Sequence, residues 1–195
     1  MELRYCSLCA SPTELSVPEG DHLPRRVCTG CGTIHYENPR VIVGCVVEHG
    51  EHLLLCRRAI EPRHGYWTIP AGFMENGETL QAGAARECHE EAEARVEVGS
   101  LLLLASIVPA RQVHAFFRAR LLDGNYGAGP ESLETKLMLP ADVPWDQLAF
   151  PSTQAALELF LADRAAGRDD PHVLTIDRRF GTDAWQNTRP SGGAA

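Results

Sequence analysis

The chain has 195 residues, 44% of them apolar and 23% charged, which fits one ordinary folded domain plus a small module and excludes collagen-like, low-complexity and disulfide-dense classes. Lys and Arg number 18 against 26 Asp and Glu, a formal net charge of −8. That sign argues against nucleic acid or an anionic membrane as partner, so a polyanionic ligand needs a local device to overcome it.

Seven cysteines are too few and too unevenly spaced for a secreted disulfide scaffold. The opening MELRYCSLCA lacks the basic-then-apolar pattern of a secretory signal. The apolar runs at 41–47 and 101–108 are about half the roughly 18 residues of a membrane span. The expected setting is a reducing cytoplasm, with no membrane partner.

Cys6-x2-Cys9 is followed, 18 residues later, by Cys28-x2-Cys31. Two such knuckles present four thiolates to one tetrahedral zinc, and the Pro- and Gly-bearing stretch between them reads as a loop-rich ribbon too small to fold alone. No βαβ pattern follows, which disfavours a thioredoxin-like redox pair. Four thiolates close the coordination sphere, so the Zn²⁺ is read as structural, in a ribbon covering residues 1–35.

The main domain is expected over 36–180, entered through a linker ending at Pro39. Residues 41–47 read as a buried strand and 53–56 as its hairpin partner, ended by Arg57 and Arg58. Residues 65–77 carry loop composition. From 80 to about 94 apolar or small residues recur at 80, 84, 88 and 92, a helical stripe. Strands are expected at 101–108, 113–121 and 135–139, with turn chemistry at Gly124, Gly127, Gly129 and Pro130. A second helix is expected to follow Ser152 as N-cap and to stop at Gly167. Residues 181–195 lack periodicity and read as a disordered tail. The fold class is α+β.

The densest chemistry lies around the first helix. Glu90 falls about 60° to one side of Glu87 and Glu91 about 40° to the other, so three carboxylates share one arc beside the apolar stripe centred on Cys88, pointing toward a cleft edge. Like charges at these spacings disfavour a helix, so a cationic partner is expected; Arg86 can neutralise one acid but not three. A solvated acidic face is the plain alternative. The frame around the helix decides against it: a loop opening at Gly72 and carrying Glu75, Asn76, Gly77 and Glu78 feeds directly into Arg86-Glu87 and Glu90-Glu91.

That frame resembles the Nudix hydrolases, whose box is Gly, five residues, Glu, seven residues, Arg-Glu, an apolar residue, any residue, Glu-Glu, any residue, Gly and an apolar residue. Gly72, Glu78, Arg86, Glu87, Cys88, Glu90, Glu91 and Ala94 match, and Glu93 stands where the family has Gly. The resemblance implies an α/β/α sandwich with a mixed sheet, preceded by a zinc ribbon. It also implies that Glu87, Glu90, Glu91 and the Gly72 carbonyl hold Mg²⁺ or Mn²⁺, with Arg86 and Glu78 as a supporting pair. Such cations suit hard oxygen ligands and reverse the local sign of an acidic protein. A carboxylate outside the box often acts as base or extra ligand in this family. Glu134 is the candidate for that catalytic part, with Glu131 beside it at the substrate; ordinary loop acidity is the alternative for both. Arg57, Arg58 and Trp67 are candidate substrate contacts, the arginines for phosphate and Trp67 for stacking on a ring, unless Trp67 is a core anchor. Loss of the box glycine is expected to change the helix end, by extension or by a costlier cap, and not the metal ligands.

A zinc ribbon before this fold is similar to two groups, NADH pyrophosphatases and the FAD and ADP-ribose pyrophosphatases. The first carries a Ser-Gln-Pro-Trp-Pro-Phe-Pro-like array after the box, where residues 105–112 here read Ala-Ser-Ile-Val-Pro-Ala-Arg-Gln. The second shows Gly-Pro-Glu-Ser-Leu-Glu, found here at 129–134. The resemblance therefore favours hydrolysis of ADP-ribose or FAD, releasing AMP, by a homodimer. The alternatives are an NADH pyrophosphatase, a MutT-type nucleoside triphosphate pyrophosphatase, or a non-enzymatic nucleotide sensor.

Overall fold

A computed structural model describes residues 3–177 and the strand at 185–187, and divides the chain into two compact units, residues 1–38 and 39–195. In the first unit β1 (Thr13–Ser16), β2 (Arg25–Cys28) and β3 (Ile34–His35) form an antiparallel sheet. These strands were not legible as such, being too short to show alternation. The first unit runs three residues past the expected ribbon boundary.

The second unit is built on a mixed sheet. Its strands are β4 (Arg40–His49), β5 (His52–Arg58), β6 (Trp67–Thr68), β7 (Ala71–Phe73), β8 (Val96–Ile107), β9 (Gln112–Leu121), β10 (Ser132–Met138), β11 (His172–Ile176) and β12 (Trp185–Asn187). The main path is β10-β5-β4-β9-β8-β11-β12, with β6 paired to β5 and β7 to β4. The β4–β9 and β8–β11 pairs are parallel and the others antiparallel. The hairpin expected at 41–56 is present, with Glu48 opposite Leu53. Two short strands, β6 and β7, occupy the segment expected to be loop, and β12 lies within the expected tail; the rest of 181–195 falls outside the described residues.

Helices α1 (Leu80–Ala92) and α2 (Pro151–Ala166) take opposite faces of this sheet. Alternation along β4 explains why: Val43, Cys45 and Val47 pack with Ala84, Cys88 and Ala92 of α1, while Ile42 and Val46 pack with Ala155, Ala156, Leu159 and Phe160 of α2. Cys45, Cys56 and Cys88 are buried in the α1 layer. Helix α2 begins one residue after Phe150 with Pro151 at its first position, so Ser152 lies inside the first turn and is not the N-cap. Gly167, in the left-handed region at φ 61°, ends it as expected.

Strand β9 carries a buried histidine into the α2 layer. Burial drives the His114 imidazole down to about 4 from an ordinary 6.5. Between those values the unfolded chain binds a proton that the folded chain refuses, so stability rises with pH through the window and is lost as pH falls through it. Over the whole window the contribution is about 3 kcal/mol. Denaturant unfolding at a series of pH values between about 7 and 4 should show this slope in the parent and a flatter one in His114→Gln; equal slopes would contradict the assignment.

Candidate active site

In the first unit the sulfurs of Cys6, Cys9, Cys28 and Cys31 lie within 4.8 Å of one another, with Cys9–Cys28 and Cys9–Cys31 at 3.4 Å and Cys6–Cys31 at 3.8 Å. Tetrahedral zinc with Zn–S bonds of about 2.3 Å sets its sulfurs about 3.8 Å apart, so the four thiols fit one ion. Backbone N–H groups point at the sulfurs, from Leu8 to Cys6 at 3.4 Å and from Gly30 and Cys31 to Cys28 at 3.3 Å. Elemental analysis should find one zinc per chain, and a strong chelator should collapse the dispersed amide resonances of residues 4–37; a ribbon spectrum unchanged by chelation would refute a structural zinc.

The second site is assembled by α1 and the loop before it. Thr79 caps the helix, its hydroxyl accepting from the Ala82 N–H at 3.1 Å. This anchors the helix where the Gly72–Glu78 loop turns back on it. Arg86 then joins the two elements. Its Nε donates to Glu78 at 3.1 Å, and one terminal nitrogen donates to Glu78 at 2.9 Å and to the Phe73 carbonyl at 3.0 Å. The other terminal nitrogen donates to Glu87 at 2.6 Å and to Glu90 at 2.9 Å. All five guanidinium N–H groups are engaged. The expected Arg86–Glu78 pair is present, and Arg86 in fact touches three carboxylates.

Glu91 is outside that set. Among the described residues its carboxylate accepts from the Ala71 N–H alone, at 3.0 Å, and burial pushes its carboxyl up to about 8. Glu87 is also raised, by burial, although Arg86 opposes the shift. Glu78 is held below the ordinary carboxylate range by Arg86. The shared arc therefore divides, with Glu87 and Glu91 buried and the Glu90 side chain 54% exposed. Two desolvated acids, Glu87 and Glu91, with the one guanidinium shared among Glu78, Glu87 and Glu90, form a hard-oxygen donor set that Mg²⁺ or Mn²⁺ fits. Gly72 packs against the Glu87 carboxylate so closely that a Cβ there would overlap it, which keeps the loop backbone beside the acids.

The far end of α1 is sealed by the 122–131 loop. Gly127 N–H donates to Ala92 O at 2.8 Å and Gly129 N–H to Glu91 O at 3.1 Å. A Cβ on Gly129 would overlap the Glu90 carbonyl, so glycine permits the approach. Glu93 adopts the left-handed conformation at φ 49°, ψ 22°, and the Ala94 N–H reaches back to Cys88 O at 3.2 Å. The helix thus ends at the usual place with the costlier cap.

This loop delivers Glu131, whose charge bears on both Glu87 and Glu91. Glu134 points elsewhere in its contacts, paired with Lys136 and, at 3.9 Å, with Arg57. Arg58 is buried, donates to Pro62 O at 2.9 Å, stacks on Phe150, and its charge favours the ionised Glu91. Arg57 donates to Gly65 O at 2.9 Å. Trp67 is only 7% exposed and packs in the α2-side core, so it anchors the loop and offers no open stacking face. Sequence reasoning missed the Ala71 N–H, the Phe73 carbonyl and the packing role of Gly83, against which both Glu78 and Val43 lie. The clustering of small residues at 82–85 was the available signal. Arg86→Lys, which keeps the charge but loses the fork, should lower kcat by about tenfold to 100-fold with the fold intact by circular dichroism; parent activity would contradict the bridging role.

Comparison with known proteins agrees with this geometry. A family model described as Nudix N-terminal matches residues 4–37, and one described as NUDIX domain matches residues 38–157. A solved Nudix hydrolase from Nitrosomonas europaea is 47% identical, with a TM-score of 0.86 over 89% of this chain and 98% of that one. The NAD-capped RNA hydrolase NudC of Edwardsiella ictaluri is 32% identical over 139 residues, 71% of this chain and 50% of that protein. An ADP-ribose pyrophosphatase from Methanocaldococcus jannaschii is 31% identical over 120 residues, 59% of this chain and 69% of that protein. The chain spans about half the length of the NudC relative. With a four-cysteine ribbon, a mixed sheet between two helices and the Gly72–Glu91 carboxylate frame, the chain belongs to the Nudix hydrolases and carries their N-terminal zinc ribbon.

Proposed function

We propose that this hydrolase cleaves the diphosphate bond of a nucleoside diphosphate derivative, ADP-ribose or FAD, and releases AMP. The observation that carries the reading is the pair of buried acids, Glu87 and Glu91, beside the Gly72 backbone, with burial raising both carboxyls. When bound there, Mg²⁺ or Mn²⁺ neutralises diphosphate oxygens and lowers the pKa of coordinated water. Glu87, Glu90, Glu91 and the Gly72 carbonyl are the groups that would hold it.

The chain's own residues then divide the work. Arg86 holds Glu87 and Glu90 in place and Glu78 holds Arg86. Arg58 supplies positive charge on the side of Glu91. Glu131 stands near enough to Glu87 and Glu91 to raise both, and is the better placed of the two carboxylates outside the box to accept a proton from the attacking water. Glu134, engaged by Lys136 and Arg57, orients those cations instead.

A second reading is favoured by the NudC similarity over 71% of the chain: a reduced or oxidised nicotinamide dinucleotide, free or at the end of an RNA. The net charge of −8 speaks against a long RNA footprint, but a local contact with the first nucleotides is compatible with it. The deciding assay supplies Mg²⁺ or Mn²⁺ with ADP-ribose, FAD, NADH, NAD-capped RNA and dNTPs, and identifies products by chromatography. AMP from ADP-ribose or FAD is the expected result. Preferential cleavage of NADH or capped RNA would move the assignment to the second reading, and preference for dNTPs would overturn both. Glu91→Gln should reduce turnover on the order of 100-fold or more while retaining fold and zinc.

A further inference from the structure

One buried polar chain lies outside the carboxylate site and has no part in the reaction just described. His114 Nδ1 is 3.1 Å from Ser152 Oγ, and His114 Nε2 is 3.0 Å from the Gln112 carboxamide oxygen. His114 is 8% exposed and Ser152 only 2%. A carboxamide oxygen can only accept, so Nε2 carries the proton; Nδ1 is then bare and accepts from the Ser152 hydroxyl. Each donor in this chain meets one acceptor, and the chain ends by fixing which way the Gln112 amide faces. Its oxygen is turned inward to the ring, and its nitrogen has no hydrogen-bond partner among the described residues.

The position of that free donor is set by strand register. Gln112 and Arg40 open the parallel strands β9 and β4 and lie opposite each other. Two residues along, and so on the same face, Phe73, Ile42 and His114 form a row across β7, β4 and β9. Arg40 lies 4.7 Å above the Phe73 ring, and Phe73 is the residue after Gly72, with its carbonyl held by Arg86. Gln112 thus opens β9 at the sheet rim, two residues from the row whose far member, across β4, is Phe73.

We infer that Gln112 is a specificity-determining residue whose N–H groups recognise a neutral acceptor, a ring nitrogen or carbonyl oxygen, on a heterocyclic base of the substrate, and that His114 is the positioning residue that holds it in that orientation. The inference rests on the function proposed above. A base acceptor is favoured over a phosphate because the amide is neutral and donates in a fixed plane, whereas the cationic groups at Arg58 and the acid-bound metal already serve the diphosphate. The Ser152–His114 link places the device on α2 and β9, two packed elements, and so restricts the motion of the amide.

The test uses the full chain and whichever nucleoside diphosphate derivative the parent hydrolyses. Gln112→Glu, which replaces donors with acceptors, should raise KM about tenfold with kcat within about twofold. His114→Phe should raise KM in the same direction, and so should Gln112→Asn, since the shorter side chain does not reach the ring. A long-range ¹H–¹⁵N spectrum of the parent should show His114 protonated on Nε2 alone. Protonation on Nδ1, or an unchanged KM in Gln112→Glu, would overturn the inference. A lower KM in Gln112→Lys would identify a phosphate at this point and overturn the base assignment. If the parent hydrolyses only dNTPs, the proposed function fails by itself, and the KM of Gln112→Glu for the dNTP still decides whether this amide meets a base.

Discussion

Remove the Arg86 guanidinium and three carboxylates, Glu78, Glu87 and Glu90, face one another across a loop and a helix turn with nothing between them. With it, the Gly72–Glu78 loop is tied to α1 through two bonds to Glu78 and one to the Phe73 carbonyl, and the same group aligns Glu87 and Glu90. Charge-assisted bonds in a planar fork are roughly twice as strong as neutral ones and fix direction as well as distance. A lysine would offer a charge without the fork, and could not hold a loop carbonyl and two sets of carboxylates at once. What Arg86 does not reach is Glu91, an acid with the Ala71 N–H as its donor and little solvent, whose carboxyl burial pushes up.

Close approach of backbone makes the rest of the site possible. Gly72 brings the loop onto Glu87, Gly83 lets Glu78 and Val43 meet the helix, and Gly129 lets the 122–131 loop bond to the last turn of α1. The helix end is thereby satisfied from outside, which explains how Glu93 is tolerated at the left-handed position where the family has glycine. That strain is on the order of 1 kcal/mol. The Gly127 and Gly129 bonds to the carbonyls of Ala92 and Glu91 offset it, and the same loop carries Glu131 toward the acids.

Much of this was legible in the residues because local chemistry and global fold agree in this molecule. The doubled Cys-x2-Cys pattern specifies a ligand set by type and spacing alone, and the sulfur geometry is what zinc requires. The Gly72–Glu91 frame is similarly informative, since a metal site on a helix needs its acids at fixed intervals. The strands of ten or so residues were found because they carry enough side chains to show a period. The two-residue β6, the three-residue β7 and the ribbon strands carry too few, and they form because neighbouring strands offer bonds. Ser152 misled for a different reason. Pro151 is suited to the first helical position, so the cap falls on Phe150, and the hydroxyl is drawn to a histidine 38 residues away in sequence, a contact no local pattern encodes. Glu131 and Glu134 differ by three residues, and only the register of β10 against Arg57 and Arg58 separates the acid near the metal ligands from the one held by cations.

The two faces of the sheet therefore handle different problems with different physics. On the α1 face the difficulty is charge: carboxylates are concentrated and partly desolvated so that a cation is required, and a protein of net charge −8 gains a grip on a diphosphate. On the α2 face the difficulty is direction. A charged group buried at His114 would carry a desolvation penalty of several kcal/mol, whereas a neutral imidazole with both nitrogens bonded carries little, and it transmits the position of α2 to the Gln112 amide. Strand β7 belongs to both arrangements, because Gly72 lies against the acids and Phe73 lies in the row with His114. A shift of that strand would disturb cation binding and base orientation together, so the packing of Ala71 against Gly44, with no room for a Cβ between them, is a constraint on both.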